Sequence, residues 1–315
     1  MKRVVKFLIY FLILIVIAFF IIGLFSNNQI KKGSLTFTTK WQGEFIDIDG
    51  EKIRYLQQGK GPDILLIHGM PGSIEDWQPI IDSLSTNHRI TAFDRPANGF
   101  STANNYDYTL KANAILANKL IDTLQLDSVI VVGHSYGGSI AATMATTKND
   151  HIKSFVIVAS VLYQFYPETL FKITSAPVVG KGITTLIAKT AAAKKIEEGL
   201  LHAFAGNRAI LTDGFLATRT QLWSQPKVFY SVSNEQVNYA QNLSEISSAY
   251  KNINKKVSIL IGDKDRAITI EDCKRLKSEV INAELLMLEN TAHYIQFEST
   301  DELLKIIKKH VAYNE

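Results

Sequence analysis

The chain has 315 residues, 46% hydrophobic and 20% charged, a composition that supports one large domain with a sizeable core and excludes a low-complexity or disordered protein. Its formal charge of +4 is local: Lys2, Arg3, Lys6, Lys31 and Lys32 stand in the first 32 residues with no acidic residue beside them, leaving 29 basic and 30 acidic residues elsewhere. The basic balance therefore describes the N-terminal segment and not a nucleic-acid-binding surface, and a single cysteine, Cys273, excludes an intramolecular disulfide and a multi-thiolate metal site.

Residues 7–25, FLIYFLILIVIAFFIIGLF, carry no charge. At 1.5 Å per residue they extend roughly 28 Å as a helix, close to the hydrocarbon thickness of a bilayer. A cleaved signal peptide would have a shorter apolar run ending in small residues, whereas this run ends IIGLFSNN. No cysteine follows to carry a lipid. The segment reads as an uncleaved transmembrane anchor over residues 1–25, with residues 26–42 as a tether. Lys2, Arg3 and Lys6 before the run place the N-terminus in the cytoplasm and the globular part outside, although Lys31 and Lys32 dilute the asymmetry.

The globular part begins with GEFIDIDGEKIRYLQQGKG, whose alternation around Asp49-Gly50 predicts a hairpin. DILLIHG (63–69) is a continuous apolar run ending at glycine, as expected of a strand buried on both faces. IEDWQPIIDSLS reads as helix, RITAFDRP as strand, YTLKANAILANKLIDTLQL as helix, SVIVVG as a buried strand with a helix after Ser135, and IKSFVIVAS as strand. This alternation predicts a mostly parallel, doubly wound α/β sheet. It resumes at KKVSILIGD, with a helix from Thr269 in which Cys273 reads as a half-buried thiol. The strand AELLMLEN and the helix STDELLKIIKKHV, with Ser299 as N-cap and Glu302 three residues on, close the chain.

Between 160 and 250 the strands stop. The segment reads as an inserted helical cap that divides the sheet-forming part into residues 43–159 and 251–315. It is rich in aromatics, among them Phe171, Phe204, Trp223 and Phe229. Most are expected in the cap's own core, and the rest are available to line an apolar pocket between cap and sheet.

GHSYGG (133–138) lies at a predicted strand-to-helix junction. A serine hydroxyl near neutral pH is a poor nucleophile. It needs a base for its proton, a group to orient that base, and donors for the oxyanion. G-x-S-x-G supplies exposure: Gly133 and Gly137 let the backbone close sharply around Ser135, which then stands at the start of a helix. There is no H-E-x-x-H, no phosphate-binding glycine loop and no dinucleotide fingerprint, so neither a metal nor a cofactor is expected.

With these motifs the chain resembles the α/β-hydrolase fold family, in its capped form, over about residues 43–313. HGMPGS (68–73) is similar to the family's loop after the third strand and DRPANGFS (94–101) to the stretch after the fourth. GHSYGG is similar to the nucleophile elbow, and GDKDRAI (262–268) and NTAHYIQFE (290–298) to the acid and histidine loops. The resemblance implies Ser135 as nucleophile, His293 as general base and then acid, and Asp265 as the carboxylate that orients it. It also implies the backbone amides of Met70 and Tyr136 as oxyanion donors. Asp265 is preferred to Asp263 because the family's acid follows G-x-x. His68, Gly69, Gly133, His134 and Gly137 support the motifs. His68 and His134 read as loop-ordering residues, Asp94 as ordering its own loop, and His88, His151, His202 and His310 as surface residues. Ala97 stands where the family has glycine, so that loop is open to a different conformation.

The expected activity is that of a membrane-anchored serine hydrolase working through an acyl-enzyme, on a small carboxylic ester with an apolar moiety. Amide hydrolysis of the aminopeptidase kind and C–C bond hydrolysis use the same triad. An aminopeptidase would need an acidic cap residue for the substrate amine, yet Glu168, Glu197, Glu198 and Glu235 read as solvated. A non-catalytic ligand-binding or sensor protein on the same fold is the rival of another class.

Overall fold

The computed structural model describes residues 2–32 and 42–312. The apolar run is the middle of one long helix, α1 (Lys2–Lys32). The helix continues through residues 26–32, which the sequence assigns to a tether, because that end has something to pack on: Ser26 and Ile30 are buried. Ile30 sits among Ala97, Ala103, Tyr108 and Tyr230.

β1 (Glu44–Ile48) turns back into β2 (Glu51–Gln58) at Asp49-Gly50, both with positive φ, the turn geometry that suits a two-residue hairpin. β3 (Asp63–Ile67) follows, buried at every position. A short 3₁₀ turn (Ile74–Trp77) leads into α2 (Gln78–Leu84), then β4 (Arg89–Phe93), α3 (Leu110–Thr123), β5 (Val129–His134), α4 (Tyr136–Ala145) and β6 (Ile152–Val158). The cap consists of α5 (Thr169–Thr174), α6 (Val179–Thr190), α7 (Ala192–Ala203), α8 (Asp213–Trp223) and α9 (Pro226–Ser248). β7 (Lys256–Gly262), α10 (Ile270–Glu279), β8 (Ala283–Leu288), α11 (Ile295–Glu298) and α12 (Thr300–Ala312) complete the chain.

The eight strands form one sheet in the order β1-β2-β4-β3-β5-β6-β7-β8. β2 pairs antiparallel with β1 and β4, and every other pairing is parallel. β3 and β5 lie side by side near the middle, and helices on both faces bury them. That explains why both read as unbroken apolar runs. The loops leaving β3, β5, β7 and β8 all emerge at the C-terminal edge of the sheet, where ligands bind in open α/β folds.

Candidate active site

Ser135 joins β5 to α4 with φ 54° and ψ −121°. The left-handed region costs an L-residue about 1–2 kcal/mol and persists only where surrounding bonds hold it. Here the Ser135 amide donates to the Val158 carbonyl at 2.8 Å, and the Ser135 carbonyl accepts from the Gly138 amide at 2.9 Å. A Cβ on Gly133 would lie 2.2 Å from the Gly137 carbonyl oxygen, and one on Gly137 would lie 2.1 Å from that of Ile67. The two glycines thus let the elbow fold onto itself and against β3.

The loop after β3 reaches the same point. A Cβ built on Gly69 would stand 3.1 Å from Ser135 Cβ, and Met70 and Ser135 line one cavity. His68 is fully buried. Its Nε2 accepts from the Arg95 amide at 2.9 Å, so its Nδ1 carries the proton and donates to the Gly69 carbonyl at 2.9 Å. Burial, reinforced by the Arg95 charge, holds its pKa well below the usual range, which keeps the ring neutral and in this tautomer. Asp94, also buried, accepts from the amides of Ile74 and Phe100 at 2.9 Å each and from Arg54 at 3.1 Å. Ala97 adopts φ 62° and bonds across its loop to Thr102, so the loop is held in a left-handed turn although glycine is missing.

Asp265 follows β7 and His293 follows β8. His293 Nδ1 lies 2.9 Å from Asp265 Oδ2. Asp265 Oδ1 accepts from the amides of Ala267 at 2.8 Å and Ile268 at 3.2 Å. Burial raises the Asp265 pKa, but the bond from His293 and the two amides outweigh it, and the carboxyl ends below its ordinary value. Asp263 is exposed and accepts from the Thr291 amide at 3.1 Å, which ties the acid loop to the histidine loop. His134 donates from Nε2 to the His293 carbonyl at 2.9 Å, its ring 4.9 Å from that of His293. Burial, then the neighbouring His293, pushes the His134 pKa down to about 3, so it acts as a neutral strut.

These loops meet at a cavity of about 530 Å³ between sheet edge and cap. Gly69, Met70, Ser135 and His293 line its sheet side. Phe171, Ile187, Trp223 and Phe229 are among its cap lining, so aromatics serve both the cap core and the cavity. Among the described residues no group of three or more His, Cys, Asp or Glu side chains could hold a metal ion.

The structure corrects several readings. Glu235 is no solvated residue: it is fully buried on α9 and paired with Arg95. Glu168 and Glu198 are exposed, as expected, although both also line the cavity. His88 and His310 are buried, not on the surface, because each finds a partner inside: His88 Nδ1 at the Leu84 carbonyl, and His310 Nε2 at the Ser258 hydroxyl. Cys273 is fully buried, and burial pushes its thiol up to about 12, which leaves it inert.

Arg95 is the residue that motif reading passes over. Its guanidinium has no solvent exposure. It donates to the carbonyls of Gly69 at 2.8 Å and His68 at 3.3 Å, to Asn113 at 3.3 Å and to Glu235, and it lies over the Tyr136 ring at 4.7 Å. An arginine between the strand-ending Asp94 and Pro96, in a glycine-bearing loop, is the available signal.

A family profile described as the alpha/beta hydrolase fold matches residues 62–300. The dihydrolipoyllysine-residue acetyltransferase component of the acetoin cleaving system of Cupriavidus necator is 23% identical over 273 residues, 85% of this chain and 68% of that protein. The (E)-2-((N-methylformamido)methylene)succinate hydrolase of Acinetobacter baylyi is 23% identical over 249 residues, 79% of this chain and 90% of that one. Among solved structures, the enol-lactonase from Burkholderia xenovorans LB400 superposes with a TM-score of 0.72 at 19% identity. The match covers 85% of this chain and all of that one, a likeness of fold.

Proposed function

The chain belongs to the alpha/beta hydrolase family, and on that premise we propose that it is a membrane-anchored serine hydrolase acting on carboxylic esters with an apolar moiety. The observation that carries the reading is the convergence of Ser135, His293 and the Met70 loop on one largely apolar cavity, with His293 held by a buried Asp265. In this mechanism His293 Nε2 takes the Ser135 proton as Oγ attacks the acyl carbon. The developing oxyanion is met by the amides of Met70 and Tyr136, the second at the start of α4, where unsatisfied amides favour negative charge. His293 then protonates the leaving alcohol. Water, deprotonated by the same nitrogen, releases the acyl group and restores Ser135. Asp265 keeps its charge throughout and stabilises the transient imidazolium.

The anchor reading is supported by α1, whose apolar residues 7–17 are all at least 36% exposed to the surroundings. The N-terminal lysines and arginine favour a cytoplasmic start and an external catalytic domain.

A fluorophosphonate probe tests the chemistry: it labels the folded protein and not Ser135→Ala. Equal labelling of both, or of neither, removes the hydrolase reading. A panel of p-nitrophenyl esters of rising chain length, run beside aminoacyl anilides and vinylogous diketones, separates ester from amide and C–C hydrolysis. Carbonate-resistant sedimentation with membranes tests the anchor, and protease protection in intact cells tests its orientation.

A further inference from the structure

α1 does not stand clear of the catalytic domain. A Cβ on Gly23 would come within 2.1 Å of the Val178 carbonyl oxygen, and one on Gly182 within 2.1 Å of that of Phe19. Backbones approach this closely where small residues, here one glycine on each side, face the partner. Asn27 accepts from Lys181 Nζ at 2.7 Å, and the Ala103 amide donates to the Lys31 carbonyl at 2.9 Å. The anchor is therefore docked along cap helix α6.

The docking has a register. Gly23 meets Val178 and Phe19 meets Gly182, so the two helices run antiparallel. Phe25 ends the apolar run, which Ser26-Asn27-Asn28 follow. At 1.5 Å per residue the contacts at Gly23 and Phe19 lie about 3 Å and about 9 Å inside that end. The midpoint of the two contacts, about 6 Å deep, falls in the band of about 5–10 Å in which interfacial amphipathic helices lie. One turn beyond Gly182 on the same face is Leu186, 44% exposed. Ile173 of the neighbouring α5 is 51% exposed and Tyr166, just before it, 82%. Residues 169–196 hold Lys172, Lys181, Lys189, Lys194 and Lys195 and no acidic residue. Exposed Ile173 and Leu186, set in a lysine-bearing stretch that holds no acid from 169 to 196, match the boundary of a bilayer with anionic headgroups. Lys181 and Lys189 bracket Leu186, which limits α6 to that boundary.

The other side of the same helices is the wall of the catalytic cavity. Phe171 and Thr174 of α5 and Thr184 and Ile187 of α6 line it. On α6, Leu186 is exposed while its chain neighbour Ile187 lines the cavity that Ser135 also lines.

We propose that the α5–α6 edge of the cap is seated in the surface of the anionic bilayer that α1 crosses, and that the cavity takes its substrate, a lipid-resident acyl ester, from that bilayer. This rests on the reading of α1 as an anchor and of Ser135 as the nucleophile. The reaction is the ester hydrolysis already described: water adds to the acyl group and the alcohol leaves with a proton.

The experiment uses the full chain reconstituted in vesicles of phosphatidylcholine with and without phosphatidylglycerol. The variant is Ile173→Asp with Leu186→Asp, neither residue being in the cavity wall or the catalytic group. A soluble p-nitrophenyl acetate and a bilayer-resident long-chain umbelliferyl ester are the two substrates. The proposal expects acetate turnover within about twofold of the parent and turnover of the long-chain ester down at least about tenfold, with phosphatidylglycerol accelerating only the latter in the parent. Equal rates for parent and variant on both esters, or equal losses on both, overturn it. A second reading does not depend on that variant folding. Tryptophan introduced as Leu186→Trp is expected to be quenched by brominated lipid, relative to the parent's own tryptophans. No added quenching, in a protein that sediments with membranes and labels with fluorophosphonate, overturns the seating alone. Failure to sediment, or failure to label, instead overturns the anchor or the hydrolase reading on which it rests.

Discussion

Arg95 Nη2 donates to the carbonyl oxygen of Gly69 at 2.8 Å. The other end of that peptide unit is the Met70 amide, one of the two proposed oxyanion donors. A cation on the carbonyl fixes the plane of the peptide and polarises its N–H, and His68 Nδ1 holds the same oxygen from a second direction. Arg95 is in turn paired with Glu235 on α9, so the cap helix and the oxyanion loop share one buried ion pair. Burial pushes the Glu235 carboxyl up and the Arg95 charge opposes it.

Arg95 is therefore expected to be a positioning residue for the oxyanion amide. Arg95→Gln should lower kcat by about 10- to 100-fold with KM nearly unchanged, less than the 10²–10³-fold typical of deleting an oxyanion donor outright. Affinity for a phosphonate that mimics the tetrahedral state should fall in parallel. Glu235→Gln should show the same signature more weakly. Both variants break a buried pair and will lose stability, so rates are compared on protein shown to be folded by circular dichroism. A fall in stability with unchanged phosphonate affinity would reduce Arg95 to a structural role.

Asp265→Asn is expected to lower kcat by about 10⁴-fold, since an asparagine presents the wrong partner to His293 Nδ1 and cannot stabilise its cation. Asp263→Asn weakens only loop ties to the amides of Asn290 and Thr291 and should leave kcat within a few-fold. Steady-state rates on a soluble ester decide between the two carboxylates, and a larger loss from Asp263→Asn reverses the assignment.

The contrast between those two carboxylates and Arg95 marks what can be read from a sequence of this kind. Each strand entering the site is a short apolar run that ends at a glycine or an acid, and each candidate group sits within a few residues of such an end. Local pattern thus leads to Ser135, the resemblance of two further loops to those of the family leads to Asp265 and His293, and periodicity leads to the α/β sheet with its helical insertion. The partner of Arg95 is 140 residues away, on a cap helix that mixes buried and exposed polar residues. No spacing rule joins them, because the pair exists only once the cap has closed over the sheet. The same holds for His310, whose burial depends on a hydroxyl of β7, 52 residues away. The docking of α1 on α6 likewise rests on Gly23 and Gly182, residues that are unremarkable in either helix taken alone.

Gly137 and Gly214 should respond in opposite directions to the same change. Gly137→Ala drives a Cβ to 2.1 Å from the Ile67 carbonyl oxygen, with backbone on both sides and nothing flexible to yield. Overpacking of this kind costs about 1–3 kcal/mol or more, and the displaced elbow should also lose fluorophosphonate labelling. Gly214 lies in the first turn of α8, and a Cβ there meets nothing within 4 Å. Gly214→Ala should stabilise by about 0.5 kcal/mol through helix propensity, with labelling unchanged. Thermal midpoints and labelling rates on the two variants check both directions.

Lys227 ties stability to pH. It is buried at the start of α9, where its Nζ donates to the Ser101 carbonyl at 2.7 Å. Burial pushes its pKa down to about 7, the nearby Asp94 charge opposing. In the unfolded chain a lysine titrates near about 10.4. Between those values the unfolded state holds a proton that the folded state has released, so the unfolded state binds more protons and stability rises with pH. The slope reaches up to about 1.4 kcal/mol per pH unit between about pH 7 and about pH 10, and vanishes below about pH 6, where both states are protonated. Lys227→Met keeps the length of the side chain and removes the titration. The stability of the parent minus that of the variant, from guanidinium midpoints in detergent, should be flat in acid and climb through the alkaline window. A difference that is the same at every pH would mean that Lys227 keeps its charge in the folded protein, with Ser101 and Asp94 stabilising it there.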